Sequence, residues 1–152
     1  SPRRRAREFA LQGLYQWRVG GADEAAVAAQ IPEMEDFAKA DLDFFAATLH
    51  RVIGQQERLT ALVTAHIDRA FRELSPIEAC VLLMGTCELV NNPETPYRVI
   101  INEAIELAKA YGGTDGHKYV NGVLDKLAAQ IRPQEIVQGN RRKKSTSTQE
   151  EP

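Results

Sequence analysis

The chain has 152 residues, 43% hydrophobic and 26% charged, with a formal net charge of -2. That length suits one globular domain, or two small helical lobes sharing a core. Near-neutrality rules out polyanion binding argued from bulk charge, and no apolar run approaches the ~18 residues of a bilayer span.

Charge distribution carries more than the total. Four of the five residues from Arg3 to Arg7 are arginine, and Arg141-Arg142-Lys143-Lys144 form a second basic cluster. Acidic residues gather elsewhere, at Asp23-Glu24, Glu33 to Asp36 and Asp41 to Asp43. The early basic segment is not followed by a continuous apolar stretch, because Glu8, Gln12 and Gln16 interrupt it. A cytoplasmic location is therefore expected.

In chain order, every apolar pattern is helical, and no segment shows convincing period-two alternation. The first helix is predicted over Arg3 to Val19, stopping at Gly20-Gly21. A short one follows around Asp23 to Gln30, closing before Pro32. Residues 40 to 72 hold one or two longer helices with a break at Gly54. The two cysteines, Cys80 and Cys87, lie seven apart on the next helix. They are about 10 Å apart along its axis, too far for a disulfide, and read as buried free thiols.

That helix starts at a strong signal, Ser75-Pro76-Ile77-Glu78, with a capping serine, a proline at the first position and an acid three after the cap. It is apolar on nearly every side to about Val90, which predicts the buried centre of the molecule. Glu88 within it reads as a buried, hydrogen-bonded carboxylate. Pro93 and Pro96 fence off a loop, and a further helix runs to about Tyr111. The last begins at Asp115, a natural cap, and ends at Pro133. From Gln134 the chain turns polar and reads as a disordered tail over 134 to 152. The expectation is an all-α protein of about seven helices in two small packed bundles, with the folded domain over 1 to 133.

Helical wheels expose features a core does not require. In the first helix, Ala6, Phe9, Ala10, Gly13, Leu14 and Trp17 form the core stripe. Arg4, Leu11, Tyr15 and Arg18 fall opposite, with Arg7 at the border. Leu11 and Tyr15 there are either covered by a second lobe or exposed as a protein-docking patch. The arginine block either aids solubility or contacts phosphates; its position at a positive helix end favours arriving phosphates. In the last helix, Asp115, Tyr119, Gly122 and Lys126 lie opposite the core stripe with Lys118 nearby. A tyrosine beside a glycine and flanked by lysines suits stacking on an unpaired base.

Catalytic chemistry is missing from the sequence. His50, His66 and His117 are scattered without metal-ligand spacing. Gly112-Gly113-Thr114-Asp115-Gly116 joins two helices and lacks the G-K-[ST] ending of a phosphate-cradling loop. Glu103 and Glu106 lack the Glu-x-x-His motifs of a di-iron bundle. No enzymatic activity, cofactor or metal is expected.

Several stretches resemble a known family. Arg4-Arg5-Ala6-Arg7-Glu8 and Ala10-Leu11-Gln12-Gly13-Leu14-Tyr15 look like the opening of the bacterial transcription antitermination factor family NusB. Pro96-Tyr97-Arg98-Val99, Ile101 to Lys109 and His117 to Asp125 are similar to its C-terminal signature, and the likeness runs from about Arg3 to Pro133. The resemblance implies a non-enzymatic adaptor that pairs with NusE, a small-subunit ribosomal protein. It also implies binding to single-stranded boxA RNA in nascent transcripts, notably of ribosomal RNA operons, within an RNA polymerase antitermination complex.

By position, the resemblance assigns RNA contact to Arg3, Arg4, Arg5, Arg7, Lys118 and Tyr119, and places Asp115 where substitution affects antitermination. It assigns Tyr15 and Glu78 to the NusE-facing surface, where Leu11 joins them on the wheel. Leu83 and Cys87 depart from an arginine and a tyrosine common in the family's central helix, which would shift the burden of RNA binding to the N-terminal block. Two other readings stay open: an RNA-recognition subunit of an RNA-modifying enzyme, and a structural homodimer using the Leu11/Tyr15 face.

Overall fold

A computed structural model describes the backbone of residues 1–150 and side chains as far as residue 141. Eight α-helices and three short 3₁₀ turns, with no strand among the described residues, make up the chain: α1 (Pro2–Arg18), α2 (Glu24–Gln30), α3 (Leu42–Gly54), α4 (Gln56–Thr64), α5 (Pro76–Asn91), α6 (Tyr97–Tyr111), α7 (Gly116–Ile131) and α8 (Pro133–Glu150). The 3₁₀ turns are Ile31–Glu33, Phe37–Lys39 and Phe71–Glu73. Helices α1 to α3 form one bundle and α4 to α7 the other, joined where α1 and α3 pack on α5.

Local chemistry sets the helix starts. The side chains of Ser1, Asp23, Asp41 and Ser75 accept from Arg4, Ala26, Phe44 and Glu78 backbone N–H groups, each satisfying a donor that lacks an intrahelical partner. Gly54 ends α3, and Gln55 is shared between its end and the start of α4.

Helix α5 is the centre of the molecule. Every residue from Ala79 to Leu89 is buried, the polar ones included. The Thr86 hydroxyl is satisfied within the helix, donating to Leu82 O at 2.7 Å. Leu83 and Cys87, the departures in this helix, are 1% and 2% exposed and pack into the core. Burial pushes both Cys80 and Cys87 thiols up to about 11, so both stay protonated.

Helices α5 and α7 run parallel, with α6 as the return between them. Three contacts fix the alignment. A Cβ on Gly116, at the start of α7, would lie 2.7 Å from Glu78 Oε1 near the start of α5. A Cβ on Gly85 would lie 3.0 Å from Leu124, so the helices approach closely at mid-length. At the far end Arg132, just after α7, donates to Glu88 O and Leu89 O of α5.

The chain beyond Pro133 departs from the disordered tail expected. It continues as α8, because its first turn is anchored. Glu135 accepts from Tyr97 N–H at 2.8 Å and lies 3.1 Å from Arg132, while Ile136 packs against the core. The polar composition of 134 to 152 concealed those three anchors. Arg142, Lys143 and Lys144 of the second basic cluster have side chains outside the described set.

Candidate RNA and partner surfaces

The N-terminal arginines divide by depth. Arg7 is 4% exposed, and Nε and Nη2 donate to the two Glu88 oxygens at 2.9 and 2.7 Å. This corrects the expectation that Arg7 contacts RNA. A wheel gives the angle of a side chain but not its depth, and here the border of the polar stripe is covered by α5 and by Phe44, whose ring centre lies 5.0 Å from the guanidinium. Glu88, in turn, is the buried carboxylate the sequence marked out, paired as burial demands.

Arg4 is exposed but engaged: it forms a two-bonded pair with Glu103 on α6, at 3.1 and 3.0 Å. Its pKa is raised, chiefly by that hydrogen bond. Arg3 stands 3.9 Å from Asp41 and stacks on Phe44 at 4.7 Å. Arg5 is exposed, and no carboxylate pairs with it among the described residues. The exposed Arg3–Asp41 pair costs little to break, whereas Arg4 must leave a two-bonded pair whose carboxylate is only 17% exposed. Arg3 and Arg4 can exchange their carboxylates for a phosphate, and Arg5 can meet one directly.

On α7, Lys118 and Asp115 are exposed and face one another at 3.6 Å. Asp115 occupies the cap position without a side-chain cap bond, so its carboxylate stays available on the surface. Tyr119 is half-buried. Its hydroxyl donates to Asp68 Oδ1 at 3.1 Å, and the Arg69 guanidinium lies 4.7 Å from its ring centre. Asp68 also accepts from Arg69 Nε at 2.9 Å, which holds its pKa below the usual carboxylate range. Burial, followed by the bond to Asp68, raises the Tyr119 pKa, so the ring is neutral.

Beside Tyr119 lies a cavity of about 260 Å³ lined by His66, Asp68, Lys118, Gly122, Val123 and Lys126 as well. A Cβ on Gly122 would meet nothing within 4 Å, so the floor next to the ring is open. Sequence reading did not find His66, Asp68 or Arg69. They sit at the end of α4 and in the connection to α5, where no periodicity sets their register against α7. Only their position in a loop could have drawn notice.

The other outward stripe of α1 splits. Leu11 is 1% exposed, so of the two readings the wheel left open the covered one holds for it, which corrects its place among the partner-facing residues. Tyr15 is 39% exposed. Together with Gln12, Gln16, Ile77 and Tyr111 they line a hollow of about 300 Å³, with Leu11 as part of its floor. Glu78, next to Ile77, is half-buried against Gly116 at the positive end of α7. Helix α5 thus brings the Tyr15 hollow beside the start of the helix that carries Lys118 and Tyr119.

No group of three or more His, Cys, Asp or Glu close enough to hold a metal occurs among the described residues. No helix among them is long and apolar enough to cross a membrane. The class is an all-helical two-bundle protein that spreads cationic and aromatic groups over its surface instead of converging them in a reaction cleft.

Comparison with known proteins places that class. The NusB family model matches residues 4–129. Transcription antitermination protein NusB of Dechloromonas aromatica is 68% identical over 144 residues, covering 95% of this chain and 88% of the relative. The Nitrosomonas eutropha protein of the same name is 54% identical over 134 residues, covering 88% and 80%. Among solved structures, NusB of T. maritima aligns with a TM-score of 0.77 at 26% identity, over 90% of this chain and 97% of that one. A solved complex of antitermination factors NusB and NusE with dsRNA gives 0.73 at 20% identity, over 82% and 93%. The chain belongs to the NusB family. It is a transcription antitermination factor and not an enzyme.

Proposed function

We propose that this chain pairs with NusE and holds boxA-type single-stranded RNA of nascent transcripts, notably those of ribosomal RNA operons, in the cytoplasm. In this reading it is a subunit of the RNA polymerase antitermination complex. The observation that carries the reading is the open cavity beside Tyr119, with Lys118 and Lys126 on its rim and an uncovered glycine as floor. Support comes from the solved NusB–NusE pair that holds RNA. That RNA is double-stranded; the cavity favours an unpaired base here, because a paired base keeps its face inside the duplex.

Arg3, Arg4, Arg5 and Lys118 supply phosphate contacts, Tyr119 the stacking face, and Asp115 restrains Lys118. Tyr15 and Glu78 face NusE. Arg69 occupies the ring face in the free protein and moves aside, or over the incoming base, when RNA arrives.

The test is fluorescence anisotropy with boxA RNA and a scrambled RNA of equal length, with and without NusE, across a salt series. Tyr119→Ala is expected to cost about 1–3 kcal/mol of RNA affinity. The log–log salt slope should stay unchanged, because no phosphate contact is lost. Removing Arg5 should instead flatten that slope by ~0.7. Equal affinity of wild type and Tyr119→Ala would remove the stacking role. Tyr15→Ala should abolish the gain that NusE gives while leaving RNA binding by the chain alone and its far-UV helical signal intact; loss of that signal would make Tyr15 a core residue.

A further inference from the structure

Far from the α7 surface in sequence, the first bundle carries an apolar groove that neither RNA nor the Tyr15 hollow uses. It lies between α2 and α3, has a volume of about 470 Å³, and is lined by Ala25, Ala28, Pro32, Phe37, Leu42 and Phe45 together with Ala46 and Leu49. Its origin is legible in α2, which reads Glu24-Ala25-Ala26-Val27-Ala28-Ala29 and buries only Val27. Alanines there are too short to fill the space in front of α3. Leu42, in the first turn of α3, lines the groove and is 50% exposed.

The groove runs along α3 from Leu42 to His50, and at 1.5 Å per residue that is about 12 Å. This is the span over which a docked helix sets down anchors at i, i+3 or i+4, and i+7. His50 closes one end, with Nδ1 2.8 Å from Glu24 Oε1 across the groove.

Charge selects the occupant. Residues 23 to 43 hold Asp23, Glu24, Glu33, Glu35, Asp36, Asp41 and Asp43 against Lys39 alone, and Lys39 is paired with Asp36 at 3.1 Å. Glu24 lies in the groove wall, Glu33 follows Pro32, and Asp43 shares the helical stripe of Ala46 and His50. Arg51, exposed at the end of α3, is the cation nearest in sequence to the His50 end. An acidic rim repels a phosphate backbone and attracts lysine and arginine.

We infer that the α2–α3 groove docks a basic amphipathic helix of a protein partner, with apolar side chains between Ala28 and Ala46 and cations against Glu24, Glu33 and Asp43. The inference is independent of the RNA and NusE surfaces.

The test is an NMR titration of the full chain, ¹⁵N-labelled, with a synthetic leucine–lysine amphipathic helix, and separately with its leucine–glutamate counterpart. Shifts caused by the lysine peptide are expected to concentrate at residues 24 to 50, with none from the glutamate peptide. Ala28→Arg and Ala46→Arg, both at exposed positions, should leave the fold intact and weaken the lysine peptide about ten-fold or more. Asp43→Lys should weaken it and reduce its salt dependence. Three results overturn the inference. One is shifts centred on Tyr15 and Tyr111; another is affinity unmoved by Ala46→Arg. The third is a concentration-dependent dimer of the free chain that Ala28→Arg dissolves, because a second copy would then be the occupant.

Discussion

Glu88→Ala is expected to lower the unfolding free energy by about 3–5 kcal/mol. Its carboxylate is 4% exposed and accepts two bonds from Arg7, whose side chain is 5% exposed. Removing one partner leaves a guanidinium buried against α5 and Phe44 with nothing to neutralise it. Urea denaturation followed by far-UV circular dichroism measures the loss, which is a large share of the ~5–15 kcal/mol typical of a domain. The double replacement Arg7→Met with Glu88→Leu removes both charges and fills the volume, so its stability should return to within ~1 kcal/mol of wild type or exceed it. The same double variant separates structure from function. Because Arg7 does not reach solvent, the salt slope of RNA binding should be unchanged in it. A lowered slope would put Arg7 back among the phosphate contacts, and a loss below ~1 kcal/mol in Glu88→Ala would mean that water reaches the pair.

The architecture was legible wherever local signals were strong. Ser75-Pro76-Ile77-Glu78 marked the start of α5, and its uniform hydrophobicity marked it as the centre. Pro96 and the Gly112-Gly113 break bounded α6, and Asp23 and Gly54 bounded α2 and α3. The outward placement of Lys118 and Asp115 also followed from a wheel, whereas Tyr119 is half-buried and packs on the core. What a wheel could not give was depth and the identity of distant partners. Arg7 meets Glu88 81 residues later, and Arg4 meets Glu103 99 residues later. No periodicity within one helix encodes such meetings. Leu11 and Tyr15 share a stripe yet differ in depth: Leu11 is 1% exposed in the floor of the hollow and Tyr15 39% exposed in its wall. Asp68 and Arg69 were invisible because their register is set by a turn after α4. The helix α8 was hidden by composition: Glu135 and Ile136 look like tail residues until Tyr97 and Arg132 are placed beside them.

Arg132→Met should cost about 3–5 kcal/mol, although the residue lies outside every functional patch. Arg132 is 9% exposed and directs its guanidinium at the end of α5. It donates to Leu89 O at 3.1 Å, Glu88 O at 3.2 Å, Asn92 O at 2.7 Å and also to Thr95 O. Glu88 O and Asn92 O also accept the backbone N–H groups of Asn92 and Thr95, whereas Leu89 O, in the last turn of α5, and Thr95 O in the following loop depend on the guanidinium. A cation there also meets the negative end of the α5 dipole. Methionine keeps much of the volume and strands Leu89 O and Thr95 O, each worth ~1–3 kcal/mol when buried and unsatisfied, and leaves Glu88 O and Asn92 O with one bond each. Lysine keeps the charge but offers one ammonium in place of a planar fork, so Arg132→Lys should recover only about half of the loss. Denaturation gives the magnitudes, and amide exchange at the start of α6 locates the opening. A cost below ~1 kcal/mol for Arg132→Met would show that water replaces the guanidinium without penalty. The consequence for function is geometric. Arg132 fixes one end of the parallel α5–α7 pair, and Glu78 against Gly116 fixes the other. Loosening the first lets α7 slide along α5, and the surface that carries Lys118 and Tyr119 then shifts relative to Tyr15 and Glu78. In Arg132→Met the binding of RNA alone should therefore survive at low temperature, while the additional affinity contributed by NusE falls.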